Sequence, residues 1–169
     1  MSEKRKPGPV KLFMSIIYSD ILNLNKVIEI LRKDLGIEDL ISHEMDFNWT
    51  QYYEEEMGGN LKRRIISYER LMERDELVGV KLLTDRVERE FSRNGKRMVN
   101  LDPGYISNEN LVLSTFKNYS HRVYIRDGVF EEVTLVFKDG SFRPLPWTYP
   151  DYASRELIGI FNDIRRKYK

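Results

Sequence analysis

Residues Val10 to Tyr18 read "VKLFMSIIY". Apolar side chains, several of them β-branched or aromatic, stand at nearly every position. A strand with one wet face alternates, whereas a continuous apolar run fits a strand covered on both faces. Val10–Tyr18 is therefore expected at the centre of a sheet, and the rest of the chain has to supply its cover.

The next segments do so in order. Ser19 or Asp20 can cap a helix, Leu24, Val27, Ile28, Leu31 and Leu35 follow at helical spacing, and Gly36 marks its stop. "DLISHEMDFNW" alternates, with Ile41, His43, Met45, Phe47 and Trp49 on one face, so it reads as a half-buried strand carrying a partly buried, satisfied His43. "TQYYEEEMGGN" reads as a loop or a short helical turn. "LKRRIISYERL" is a second alternating strand. A helix capped near Asp75 follows, with Val80, Leu83, Val87 and Phe91 on one face and a stop at Asn94-Gly95. "RMVNL" is a short strand.

Strand, helix, strand, strand, helix, strand is the ferredoxin-like order. That arrangement places the third strand inside the sheet, where Lys62, Arg63, Arg64 and Glu69 are charged. Either one sheet face is open to solvent or the strand order differs. Beyond it, Ser107 is expected to cap a short helix, with Ile106 and Leu111 as a hydrophobic staple. Asp127-Gly128 and Asp139-Gly140 join "HRVYI", "FEEVTLVF" and "SFRPL" into an antiparallel meander, because Asp-Gly between such runs marks a tight hairpin. A last helix runs from Ala153 to Tyr168 with Leu157, Phe161, Ile164 and Tyr168 along one face. The reading is one α+β domain, residues 10–169, behind a flexible tail of residues 1–9.

With 169 residues the chain can bury a core of its own. The absence of cysteine excludes disulfides, thiol catalysis and cysteine-based zinc sites. A formal net charge of +1 gives no field to draw nucleic acid or an anionic membrane, despite small basic islands at "LKRR" and "RRKYK". The apolar run after "MSEKRKPGP" is short, lacks a small-residue cleavage site and leads straight into an amphipathic helix. It reads as a strand rather than a leader. No stretch approaches the ~18 apolar residues of a membrane span, and a cytoplasmic protein is expected.

Phosphate-loop, dinucleotide, zinc-protease and nucleophile-elbow motifs are missing, and two histidines cannot build a multi-histidine metal site. Weaker constellations remain. In "NLDPGY", Asp102-Pro103-Gly104 suits a tight turn. Asp102 then either caps that turn or, with Asn100 on the same face, orients a ligand at a strand end. In "SHRVY", His121 is the one plausible proton shuttle and Arg122 a candidate anion clamp, although neighbours on a strand point to opposite faces. Glu56, with Glu54 and Glu55, offers oxygens for Mg²⁺, or is a solvated loop acid. "PLPWTYPDY" packs three prolines and three aromatic rings into nine residues. It reads as a stiff strap in which Asp151 caps the last helix, and one that also makes a pocket wall with Trp147 and Tyr149.

In the order "VKLF…YSD", "YYEEEMG", "VNLDPGY", "SHRVYI" and "LPWTYPDY", the chain resembles an uncharacterised prokaryotic family, the domain of unknown function 4416, from Val10 to about Tyr168. None of these motifs has an established role in that family. Some of its members are called GTP-binding, but this sequence has neither a phosphate loop nor an NKxD motif, since Asn25-Lys26 is followed by Glu29 in mid-helix.

The leading expectation is a module that binds a small anionic ligand of nucleotide type. Arg122 holds the anion, Asn100 and Asp102 orient a polar group, and Trp147 or Tyr149 stacks. The alternatives are a hydrolase or transferase with His121 as general base, oriented by Glu56 or Asp102, and an adaptor that docks a protein partner.

Overall fold

The computed structural model describes residues 1–19 and 21–168, so the suggested cap Asp20 lies outside it. Strand β1 (Val10–Ser19) is buried along its whole length, as its composition requires. Helix α1 (Leu24–Leu35) turns Val27, Ile28, Leu31 and Leu35 inward and ends at Gly36, whose φ of 91° only glycine adopts cheaply. Ser19 belongs to β1, and Asn23 precedes α1 without a side-chain cap.

The alternating segment that follows breaks into β2 (Glu38–Ile41) and β3 (Met45–Asp46). Met45 and Phe47 are buried there, but His43 is exposed and bonds Glu156 at 2.8 Å, so it is not the half-buried histidine expected. The short helix α2 (Glu54–Met57) leads to β4 (Leu61–Met72). A 3₁₀ turn at Arg74–Glu76 carries a capping box between Glu73 and Glu76, and α3 (Leu77–Glu90) continues from it.

Next come β5 (Val99–Ile106) and β6 (Asn110–Thr115). The helix expected after Ser107 does not exist. Ser107 instead closes the β5–β6 hairpin, its hydroxyl accepting from the amides of Glu109 and Asn110 at 3.1 Å. A side-chain oxygen that accepts from following amides serves a turn as well as a helix start, which is why the local signal misleads. The meander is as read: β7 (Val123–Arg126), β8 (Val129–Lys138) and β9 (Ser141–Pro144). Asp127-Gly128 and Asp139-Gly140 all have positive φ, the type I′ signature. Helix α4 (Arg155–Tyr168) closes the chain.

All nine strands join one mostly antiparallel sheet in the order β2-β4-β1-β5-β6-β8-β7, with β3 on β4 and β9 on β8. Alternate β1 residues divide the core. Leu12, Met14, Ile16 and Tyr18 face α1 and α3, while Phe13 faces α4 and packs at a tilt against Phe161 with ring centroids 5.1 Å apart. β4 is inside the sheet despite its charges, because each basic side chain there finds a partner. Lys62 bonds Asp46, Arg63 bonds Asp151, and Arg64 bonds the Ser42 carbonyl. Among the described residues, no helix is long and apolar enough to cross a membrane.

One irregularity positions everything that follows. β5 pairs with β1 from Val99 to Ile106, but it pairs with β6 only from Gly104 onward. Asp102-Pro103-Gly104 is therefore not a turn; it lies within the strand, at the point where the sheet forks. Pro103 brings no N–H to a ladder, and the Ser114 hydroxyl bonds its carbonyl at 3.0 Å instead. At Gly104 a Cβ would lie 2.4 Å from the Val112 carbonyl oxygen and 2.6 Å from the Phe13 ring, so the close approach requires glycine.

Candidate functional site

The fork leaves the outer edge of Leu101 without a neighbouring strand, and α3 supplies side chains in its place. Glu88 Oε1 accepts from the Leu101 amide at 2.6 Å, and Lys81 Nζ donates to the Leu101 carbonyl at 3.2 Å. Lys81 and Glu88 are seven residues apart on one helix, hence on the same face. They meet the need of buried backbone groups for partners, and they also line a cleft of about 730 Å³ that opens where β6 departs.

Its floor is one face of the sheet. Ile17 pairs with Arg63 on one side and Asn100 on the other, and Ser15 pairs with Asp102, so Arg63, Asn100 and Asp102 share that face. Phe47, Trp49, Tyr52 and Tyr53 make one wall; Phe116 and Lys117, just past β6, and the strap from Tyr149 to Tyr152 make the others. Trp49, Tyr52, Phe116 and Tyr149 are all well exposed, so four rings stand around a charged cleft.

Four arginines line this cleft; Arg89 pairs with Asp85 on α3, and the other three are in different states. Arg97 is consumed by its neighbours. Nε and Nη2 grip Glu56 at 2.8 Å each, and Nη1 reaches Glu88 at 3.2 Å and Asn100 Oδ1 at 3.1 Å. That grip holds the Glu56 carboxyl below its ordinary range, while burial pushes Glu88 up in spite of its partners. Arg122 is similarly engaged: Nε to Glu132 at 2.8 Å, Nη1 to the Lys117 carbonyl at 3.0 Å, and Nη2 to the Tyr149 hydroxyl at 2.7 Å. Arg63 differs. Its residue exposure is 5%, its guanidinium lies 4.7 Å from the Phe47 ring centroid and 5.5 Å from that of Tyr152, and Nη1 donates to Asp151 at 2.5 Å. Nε has no partner, and the Asp151 bond is the one hydrogen bond this side chain makes among the described residues.

Of the residues singled out from sequence, Asn100, Asp102, Arg122, Tyr149 and Asp151 line this one cleft. Asn100 Nδ2 donates to Asp102 at 2.6 Å, and Lys81 approaches the other Asp102 oxygen at 3.4 Å. Asp151 does not cap the last helix. Its carboxylate is buried against Arg63, and Ser154 caps α4 by accepting from the Leu157 amide at 3.2 Å. Trp147 is outside the cleft. Its indole N–H donates to the Val133 carbonyl at 2.8 Å, and its ring stacks on His121 in a separate open depression with Tyr119, Ser120 and Pro146. The strap is thus both things at once: Trp147 and Thr148 tie it to β8, and Tyr149 to Tyr152 form a cleft wall.

His121 and Arg122 precede β7 rather than start it, so the period-two rule does not separate them. Both converge on Glu132 Oε2, His121 Nε2 at 2.9 Å. Glu132, not Glu56 or Asp102, therefore orients the histidine. Both oxygens of Glu56, the suggested metal ligand, accept from Arg97. No group of three or more metal-ligating side chains occurs among the described residues.

Sequence reasoning missed Arg63, Lys81 and Glu88. Arg63 alternates with Leu61, Ile65 and Ser67, and a lone arginine on such a face is a usable signal. Lys81, Asp85 and Glu88 form a charged stripe along α3 at helical spacing.

Over residues 8–168 the chain matches the family described as Domain of unknown function (DUF4416). It belongs to that family. No curated protein and no solved structure matches it.

Proposed function

We propose that this DUF4416 protein is a cytoplasmic module that binds a small anionic ligand of nucleotide type in the cleft at the sheet fork. The observation that supports this is the combination, in one concave site of about 730 Å³, of buried basic side chains and exposed rings. Ligand sites are typically concave, with a few polar groups fixed among apolar and aromatic walls, and this volume suits a mononucleotide. Arg63 on the floor and Lys117 at the rim supply positive charge for the anion, while Arg122, held by Glu132 and Tyr149, shapes the rim. Asn100 and Asp102 take hydrogen bonds from the ligand, and Trp49, Tyr52, Phe116 or Tyr149 offers a face for a base. In this reading the scaffold is ferredoxin-like: β2-β4-β1-β5 with α1 and α3 on one face. The meander and strap are the additions that complete the site.

The test is a thermal-shift panel of nucleoside mono-, di- and triphosphates with the purified protein. A ligand at ~100 times its Kd adds about 2.7 kcal/mol, a Tm rise of roughly 5–10 °C at this length. No shift with any member would overturn the reading.

One observation favours a second reading, a hydrolase or transferase with His121 as general base: its Nε2 is held at 2.9 Å by a buried carboxylate beside an open depression. Turnover of a phosphate or acyl ester, abolished in His121→Gln, would establish it.

A further inference from the structure

We infer that the cleft is polarised, with the ligand's oxyanion on Arg63 and a pair of vicinal hydroxyls on Asp102, so that the ligand class is a ribose phosphate. This rests on the binding reading of the cleft and names what it takes.

A guanidinium has five N–H donors in a fixed fork that matches a phosphate or carboxylate. Arg63 commits Nη1 to Asp151 and its Nε is sealed from the cleft, but Nη2 makes no hydrogen bond among the described residues and is the donor left for a guest. Buried polar groups are hydrogen-bonded as a rule, and an unmet donor is costly. A buried cation with spare donors on the floor of an open cleft is therefore incomplete without an acceptor. The rings of Phe47 and Tyr152 and the Asp151 bond fix its plane, so little freedom remains to be lost on binding. Arg97 and Arg122 have less spare capacity, because every nitrogen of each already makes at least one hydrogen bond.

Across the floor the deficit has the opposite sign. Asp102 accepts one bond from Asn100 and a long one from Lys81, its side chain is 32% exposed, and a carboxylate has about four acceptor positions. An acceptor-only group asks for donors, and a carboxylate spans the two hydroxyls of a furanose diol in the way that dinucleotide folds use it. Arg63 pairs with Ile17 and Asp102 with Ser15, two strands across and two residues along, which puts their Cα atoms about 12 Å apart. With side chains reaching inward, that gap suits a five-carbon sugar phosphate, and the exposed rings lie beyond it for a base.

The experiment is calorimetric titration of the full chain with ribose 5-phosphate, 2-deoxyribose 5-phosphate and inorganic phosphate, repeated with Arg63→Lys and Asp102→Asn. The expected results are at least tenfold weaker binding of the deoxy sugar than of ribose 5-phosphate by the unaltered protein, and an Asp102→Asn variant in which the two sugars bind alike. Inorganic phosphate binding is unchanged by Asp102→Asn and drops at least tenfold in Arg63→Lys. Equal affinity for both sugars in the unaltered protein overturns the diol assignment without needing any variant to fold. Undiminished phosphate binding by a folded Arg63→Lys protein overturns the oxyanion assignment. If nucleotides shift the Tm but none of these differences appears, the inference fails and the cleft reading survives. If neither nucleotides nor sugar phosphates bind, both fall.

Discussion

Arg97 and Arg63 lie on the same cleft and have opposite circumstances. Arg97 is partly exposed yet meets two carboxylates and an amide oxygen; Arg63 is buried yet meets one carboxylate oxygen. The difference separates two uses of one residue type. A guanidinium whose donors are consumed by its own chain holds that chain together. One with donors its own chain leaves unmet at the cleft floor has capacity that a guest can use.

The largest effect that could break this contrast is on stability. Arg97→Ala would free Glu56 and leave the buried Glu88 carboxylate with the Leu101 amide alone. Stranding a buried charge costs about 3 kcal/mol, or ~6–12 °C of Tm for a chain of this size. Differential scanning calorimetry checks it, and a loss under about 1 kcal/mol would show that Arg97 is not the structural member of the pair. Arg63→Lys should do the reverse. It keeps a charge for Asp151 and loses the fork, so Tm moves by only ~2–4 °C while nucleotide affinity falls tenfold, about 1.4 kcal/mol.

A carboxylate on β8 extends the comparison to an acid without a partner. Burial alone pushes the Glu131 carboxyl up to about 7, and no basic group among the described residues offsets it. The folded pKa is above the unfolded one, so its favourable contribution is present in acid and lost as pH rises from about 4.5 through 7. Glu131→Gln should match the parent near pH 4 and exceed it at pH 8. Discounted for partial exposure, the gain is about 1 kcal/mol or ~3 °C. Identical pH profiles for the two proteins would contradict it. The smallest expected effect is at the separate depression, where Trp147→Phe should leave nucleotide affinity within twofold by titration.

How much of this was legible in the sequence depends on whether a signal was local or tertiary. β1 was readable because an unbroken apolar run permits few placements, and the Asp-Gly hairpins because positive φ at both turn positions selects those residues. Asp102-Pro103-Gly104 misled because its turn chemistry is real but overridden. The proline falls where β5 loses a neighbouring strand, and the glycine is needed for the approach of Phe13 and Val112. Asn100, Asp102, Arg122, Tyr149 and Asp151 were found as candidates, but their meeting in one cleft depends on a fork no local pattern announces. Arg63 was hidden because a charged strand residue normally marks a wet face; its partner Asp151 is 88 residues away.

The central claim is that the cleft, and not the His121 depression, takes the ligand, and the chain carries a reporter in each. It has two tryptophans, Trp49 at the cleft and Trp147 on His121. A ¹⁵N–¹H spectrum therefore shows two indole signals, assignable with Trp147→Phe. On titration with a mononucleotide, the Trp49 signal should shift in proportion to occupancy while Trp147 stays in place. Movement of Trp147 with Trp49 unchanged would put the ligand at His121 and contradict the account.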